Sequence, residues 1–414
     1  MRRSQPRKPI PGRLSRHSGQ NLKVAPPRSK LPDVGTTIFT IMSRRARELG
    51  ALNLGQGFPD YDIDPRLAEL TGEAMRQGHN QYAPMEGLLA LRERIARKLE
   101  ASYGVAFDPH AQITVTLGAT EAIFSTVQAV VGPGEEAIAF DPAYDSYEPA
   151  VRLAGGRCIR LPLMPPDFRY DWDRVRDAIT PRTRLILFNS PHNPACTAAT
   201  SADLDQLAAC IRGRDIVVMS DEVYEHVVFD GRKHASVLLH PELRERSFAV
   251  FSFGKTLHAT GLRVGYCVAA PALTGELRKV HQFNTFSIAN PLQQAIAAYL
   301  AERPRTGSEL AAFFQAKRDR LRNGLAGSGF VLPPAQGTFF QLLDFGGLLA
   351  AGDVQFAERA LTEAGVATIP LSPFYAKPAR LAVVRLCIAK RDETLDRAAA
   401  RLAGFAARLG RAGA

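Results

Sequence analysis

The sequence predicts an α/β protein built on a mostly parallel sheet, and three observations carry this. From Ile113 onward, seven short β-rich runs follow one another, most of them separated by helical or turn segments. Two stretches of helical periodicity precede them, and a long helical stretch leads into a second region that mixes strand and helix. Alternation of strand and helix along a chain demands crossover connections, which pack helices on both faces of a parallel sheet.

Taken in order, Leu31–Phe58 reads as an ordered arm of short apolar stretches. It ends in the turn Gly55-Gln56-Gly57-Phe58-Pro59. Helices are expected over Leu67–Gly78 and Leu88–Tyr103; in the second, Leu88, Leu91, Ile95 and Leu99 share one face. The predicted strands are Ile113–Leu117, Glu136–Phe140, Cys158–Leu163, Arg184–Asn189, Asp215–Ser220, Phe248–Phe253 and Gly265–Ala269. Thr120–Val131 and Ser201–Arg212 are among the helical segments between them. One helical stretch over about Pro291–Gly327 then precedes strands at Gly337–Asp344 and Val383–Ile388 and a closing helix at Thr394–Leu409. The expected division is a leader (1–30), an arm contributing to the small domain (31–60), a large domain (61–295) with a seven-stranded sheet, and a smaller α+β domain (296–414).

Composition narrows the function. The 414 residues carry a formal net charge of +11, which invites a nucleic-acid reading. Nine Lys or Arg and no acidic residue lie in residues 1–30; the remainder holds 43 basic against 41 acidic residues, close to neutrality. The excess is therefore a basic tail, not a groove across the fold. The leader overlaps organelle transit peptides in composition, but five prolines between Pro6 and Pro27 would break an amphipathic helix, so a disordered leader is expected. No apolar run is long enough to span a bilayer. The five cysteines are scattered without a C-x-x-C, which fits reduced thiols in a cytoplasmic protein and no metal site.

Unusual loops follow several strands, where open parallel sheets bind ligands. Ser252-Phe253-Gly254-Lys255-Thr256 fails as a Walker loop because Ala249 stands where glycine is required. Its S-x-x-K spacing lacks the companion motifs of penicillin-interacting serine enzymes. A lysine forming a Schiff base with a carbonyl cofactor is the third reading. Asp221, at the end of an apolar strand, is costly unless it meets a cation such as a pyridinium nitrogen, and Tyr224 lies three residues on. Asn193 sits in a loop stiffened by Pro191 and Pro194, and Gly118-Ala119-Thr120 opens a helix with small residues, a natural phosphate site. Taken singly, Lys255 also fits a loop lysine, Asp221 a helix N-cap and the Asn193 loop a plain turn. Gly132–Ala137 matches G-x-G-x-x-A but precedes its strand and is rejected as a dinucleotide fingerprint. Arg263 follows Lys255 by eight residues, and Arg385 lies inside an apolar strand, where an arginine awaits an anion or a salt bridge.

In order along Leu31–Gly410, these motifs resemble the fold-type I, pyridoxal-phosphate-dependent aminotransferases. Asn53–Asp60, Asn80–Gly87 and Asp141–Tyr147 are most similar to the kynurenine/glutamine transaminase branch, and within it to the bacterial methionine-using enzymes. The resemblance implies that Lys255 holds the cofactor and shuttles the substrate proton, and that Asp221 pairs with the ring nitrogen. Tyr224 and Asn193 would hydrogen-bond the ring oxygen, and Tyr144 would stack on the ring. Gly118, Ala119, Thr120, Ser252 and Arg263 would gather around the phosphate, with Tyr82 reaching it from a neighbouring subunit of a homodimer. Arg385 would clamp the substrate carboxylate beside Gly57 and Asn193, and Phe286 and Phe340 would stand near the side-chain pocket. Two departures are Ala195-Cys196 after Asn193-Pro194, where relatives carry N-P-x-G, and Arg263 in place of a lysine. The implied reaction is ping-pong transfer of an amino group from methionine or other large uncharged or aromatic amino acids to a 2-oxo acid. Kynurenine or glutamine transamination with β-elimination from cysteine conjugates is the nearest alternative. A nucleic-acid-binding regulator that kept the same body is the rival from another class, supported only by the leader.

Overall fold

A computed structural model of the chain describes residues 28–377 and 379–412. The predicted leader therefore lies outside the described residues, apart from 28–30. Twelve strands occur among the described residues: β1 Leu52–Asn53, β2 Ile113–Thr116, β3 Glu136–Asp141, β4 Arg157–Pro162, β5 Thr183–Asn189, β6 Val217–Asp221, β7 Ser247–Ser252, β8 Gly265–Ala269, β9 Phe340–Asp344, β10 Val366–Ala367, β11 Ile369–Pro370 and β12 Val383–Cys387. Seven of them form one sheet in the order β2-β8-β7-β6-β5-β3-β4, with only β8 antiparallel to its neighbours.

Strand residues alternate between two cores, one on each face of this sheet. In β5, Ile186 and Phe188 join the larger core while Leu185 and Leu187 join the smaller one. Burial on both faces explains why the inner strands are short, largely apolar runs without regular polar alternation, whereas the edge strand β4 keeps Arg157 and Arg160. Their β-branched and aromatic residues then pack on each side, at about 1.5–3 kcal/mol for each large side chain withdrawn from water. Helices Gly118–Val130 and Pro271–Asn284 pack together over one face. Helix Ser201–Ile211 begins at a reciprocal cap: Thr200 accepts from the Asp203 N–H, and Asp203 accepts from the Thr200 N–H.

Outside the large sheet, β11, β12 and β9 form a three-stranded antiparallel sheet. β1 pairs in parallel with β10, joining the segment before Gly55 to the segment before Ile369. Helix Asp392–Ala412 covers helices Leu310–Gly324 and Asp353–Ala364.

Three sequence expectations are corrected. The arm contains a helix, Ile38–Glu48, capped by Thr37 and burying Met42 and Ala46, where only short apolar stretches were expected. The helical stretch at 291–327 is two helices, Asn290–Glu302 and Leu310–Gly324. Pro304 follows the first, and Gly307 adopts φ +98°, which an α-helix cannot accommodate. The strand expected from Gly337 starts at Phe340, because Thr338 has φ +78° and leaves the extended region. No helix among the described residues is long and apolar enough to cross a membrane.

Candidate active site

The exits of β2, β3, β5, β6 and β7 lie at one edge of the sheet, and β8 enters there. Each supplies a side chain or a turn to a cleft enclosing about 530 Å³ of non-protein space. Its lining includes Ala119, Thr120, Tyr144, Asn193, Asp221, Tyr224, Ser252, Lys255 and Arg263.

After β2 the chain turns into helix Gly118–Val130, presenting its first amide N–H groups at a helix N-terminus. Gly118 has φ +68°, and a Cβ there would lie 2.8 Å from the Arg263 guanidinium. Arg263 itself is left-handed at φ 54°, an uncommon state for a residue with a side chain, and its guanidinium donates to the Thr260 carbonyl at 3.2 Å. The glycine and the arginine are thus fitted to one another at the cleft mouth.

β5 ends at Asn189, which is buried. Its Nδ2 donates to the Asp221 carbonyl at 2.8 Å and its Oδ1 accepts from the Asn193 N–H at 2.8 Å, fastening the Asn193 loop to the end of β6. Asp221 is 5% exposed. Burial pushes its carboxyl up to about 6, partly offset by a hydrogen bond from the Tyr147 hydroxyl to Oδ2 at 2.7 Å. The Val223 N–H donates to Oδ1 at 3.3 Å. Tyr224 is buried edge-on against Phe339 and Phe340, and burial holds its phenol well above the usual range.

Lys255 stands on the short helix Phe253–Thr256 that follows β7. Its Nζ donates to the Gly57 carbonyl at 3.2 Å and lies 5.5 Å from the ring centroids of both Tyr224 and Phe339. Withdrawal from water lowers its ammonium to about 8, and the cations Arg385 and Arg263 push the same way. The amine is therefore neutral, and nucleophilic, at a much lower pH than an ordinary lysine, with roughly a tenth of it free near pH 7.

The smaller sheet adjoins the cleft behind Asn193 and Tyr224. Arg385 in β12 is 1% exposed. It donates from Nη1 to Asn193 Oδ1 at 2.6 Å and from Nη2 to the Gly55 carbonyl at 2.8 Å, while Nε has no partner. Burial pulls its pKa below the usual value. Phe340 lies flat beneath the guanidinium, and a Cβ at Gly57 would come within 2.7 Å of the Phe340 ring.

Gly57, Gly118, Phe340 and Arg385 adjoin the cleft without lining it, and two expected site residues stand elsewhere. Tyr82 and Phe286 are not in the lining of this chain's cleft; they meet edge-on at 5.3 Å, 82% and 45% exposed, beside the exposed Phe283. Phe286 has φ +68° just past helix Pro271–Asn284, and this turn aims its ring at Tyr82. Sequence reasoning missed Tyr147 and Asn189. Tyr147 lies in the same Asp141–Tyr147 motif as Tyr144, one helical turn on, and Asn189 is a polar residue at a strand exit, the signal that singled out Asp221. A larger opening, about 1480 Å³ and lined by residues such as Tyr170, Thr197, Arg232 and Gln336, holds none of these reactive groups. Among the described residues no group of three or more His, Cys, Asp or Glu is arranged to hold a metal ion.

The doubly covered, mostly parallel sheet, with a lysine and a buried carboxylate at its strand exits, is that of an aminotransferase-type protein: the chain belongs to the aminotransferase class I and II family, whose model matches residues 50–402. It is 50% identical over 376 residues to the methionine aminotransferase of Escherichia coli strain K12, covering 91% of this chain and 97% of that one. It is 37% identical over 391 residues to a probable N-succinyldiaminopimelate aminotransferase of Mycobacterium tuberculosis, covering 92% and 98%. The crystal structure of an E. coli protein identified as having a methionine aminotransferase function superimposes with a TM-score of 0.90 at 48% identity, covering 92% of this chain and all of that one.

Proposed function

We propose that the chain is a pyridoxal-phosphate-dependent aminotransferase that takes the amino group of methionine, or of another large uncharged or aromatic amino acid, and passes it to a 2-oxo acid. The observation that carries the substrate reading is the charge of the cleft. Lys255 and Arg263 are the cations in its lining, and Arg385 adjoins it through Asn193. With these committed, no further cation of the lining remains for a distal carboxylate.

The residues fit the cofactor. Asp221 is a buried carboxylate whose hydrogen-bond partners are neutral donors, so it has charge to spare for a pyridinium nitrogen. Amide groups at a helix N-terminus, the Ser252 hydroxyl and Arg263 form a phosphate donor set, and Gly118 leaves the space that a Cβ would fill. Pyridoxal phosphate supplies an aldehyde that accepts the amino group and a ring that takes up the electrons released at the substrate Cα. Lys255 Nζ would hold the cofactor and, once released from it, carry the proton from the substrate Cα to the carbon of the cofactor's former aldehyde group. Asp221 fixes the positive charge, Tyr224 and Asn193 orient the ring oxygen, and Tyr144 covers a ring face. Arg385 binds the α-carboxylate through two parallel N–H donors beside Gly57, with Phe340 walling the side-chain pocket.

The exposed Tyr82, Phe283 and Phe286 support a homodimer in which Tyr82 enters the partner's site. The same reading keeps the division into arm (31–60), large domain (61–295) and small domain (296–414). Five unpaired cysteines accord with a cytoplasmic location. A panel of amino donors tests the proposal: methionine, phenylalanine, glutamine and kynurenine against aspartate, with one 2-oxo acid. Preference for methionine is expected. Preference for aspartate overturns the substrate reading, and preference for kynurenine or glutamine favours the alternative.

A further inference from the structure

Asp221 enters the cleft with both carboxylate oxygens engaged, and the shorter bond comes from a residue outside the cleft's lining. Tyr147 is 3% exposed and opens helix Tyr147–Leu153. Its hydroxyl donates to Asp221 Oδ2 at 2.7 Å, and its ring meets Tyr144 edge-on at 5.7 Å. Resting on the pyridoxal-phosphate reading, we infer that Tyr147 is a positioning residue whose hydroxyl holds Asp221 as an anion aimed at the pyridinium nitrogen and so sets how cationic the ring stays.

The argument turns on charge. A lysine or arginine in this position would also orient Asp221, but it would cancel the carboxylate's charge and leave less for the ligand. A phenol polarises the carboxylate and leaves that charge in place. The bond also works against burial, which favours the neutral acid, so without it Asp221 becomes more basic. Orientation is shared: Asn189 fixes the Asp221 backbone through its carbonyl, and the Val223 N–H takes Oδ1. A carboxylate offers about four lone-pair sites, so these two donors leave room for a ring N–H.

Tyr147→Phe keeps the ring and removes the hydroxyl. Pyridoxal phosphate is titrated into cofactor-free wild type, Tyr147→Phe and Asp221→Ala, with binding read by intrinsic fluorescence and visible absorbance. The expected Kd of Tyr147→Phe is about tenfold above wild type, which is roughly 1.4 kcal/mol. The pH midpoint of the bound cofactor's visible absorption should rise, because a more basic Asp221 draws the ring proton toward itself and leaves the ring less cationic. Should Tyr147→Phe fail to fold, Tyr147→His, which restores a donor, is compared with Tyr147→Leu for the same midpoint. A Kd within about twofold of wild type with an unmoved midpoint overturns the inference, as does a loss of thermal stability alone. Failure of the wild type to bind pyridoxal phosphate overturns the parent reading instead.

Discussion

The guanidinium carbon of Arg385 lies 3.7 Å from the centroid of the Phe340 ring, so a flat cation rests on a flat aromatic face. This stacking fixes the plane of the guanidinium and with it the direction of its N–H donors. Lysine keeps the charge but has neither the plane nor the paired donors. Arg385→Lys is therefore expected to raise KM for the amino donor at least tenfold, roughly 1.4 kcal/mol or more, with the cofactor affinity unchanged. Steady-state kinetics alongside a pyridoxal-phosphate titration checks this; an unchanged KM removes Arg385 from the carboxylate site.

Gly57 also neighbours Phe340. A methyl group there would meet the ring at 2.7 Å, inside van der Waals contact. Gly57→Ala must displace Phe340, which is 1% exposed and closely packed, and overpacking of this kind costs about 1–3 kcal/mol. A lower urea midpoint together with weaker substrate binding is expected. Wild-type values for both would mean that the arm yields without cost.

The two shifted groups of the cleft both weaken cofactor capture as pH falls, each at its own value. Lys255, lowered to about 8, is protonated below that pH and neutral above it, so covalent capture should accelerate as pH rises through about 8. Asp221, raised to about 6, takes up a proton as pH falls through that value and can no longer neutralise a pyridinium, so affinity should fall on the acid side. Stopped-flow absorbance of the cofactor-free protein mixed with pyridoxal phosphate, across about pH 5 to 9, reads both limits. A flat rate profile contradicts the assignment of Lys255.

Next to Tyr224, the buried Glu225 accepts hydrogen bonds from Lys98 and, at 2.5 Å, from the Tyr103 hydroxyl. Lys98 draws the carboxyl down to about 2 against the cost of burial. Lys98→Met leaves that charge buried without its cation, and about 3–5 kcal/mol of stability should be lost. Adding Glu225→Gln removes the charge while keeping an acceptor for Tyr103, and part of the loss should return. Chemical denaturation of the two variants decides; equal stability of both would show that the pair is not coupled.

Tyr82 tests the subunit arrangement. It stands 82% exposed and outside the cleft lining of its own chain. If it completes the partner's phosphate site, Tyr82→Ala should weaken pyridoxal-phosphate binding about tenfold while the dimer persists in sedimentation. Unchanged affinity places Tyr82 outside the site.

Most strands of the large sheet were legible because they are apolar runs buried on both faces and bounded by turn residues; the edge strand β4, only half-buried, was legible from Cys158, Ile159 and Leu161. Helix Ile38–Glu48 was missed although Ile38, Ile41, Met42 and Ala46 recur at helical spacing, because the segment reads first as short apolar stretches broken by Arg44, Arg45 and Arg47. The break between Glu302 and Leu310 was written in Pro304 and Gly307, but the flanking apolar periodicity masked it.

Lys255, Asp221, Asn193 and the Gly118 turn could be found in sequence because each follows a strand within a few residues, and strand exits in a parallel sheet share one edge. Local spacing therefore pointed to several of the residues that meet in the cleft, though not to Asn189, and to Tyr144 only through the family resemblance. Tertiary structure decided what those residues touch. Arg385 reaches the Gly55 carbonyl 330 positions away, Tyr147 finds Asp221 across 74, and Lys255 finds Gly57 across 198. It also turned Tyr82 and Phe286 outward. Such contacts depend on how distant elements pack, and packing is set by side-chain volumes throughout the core, for which no local period in the sequence stands.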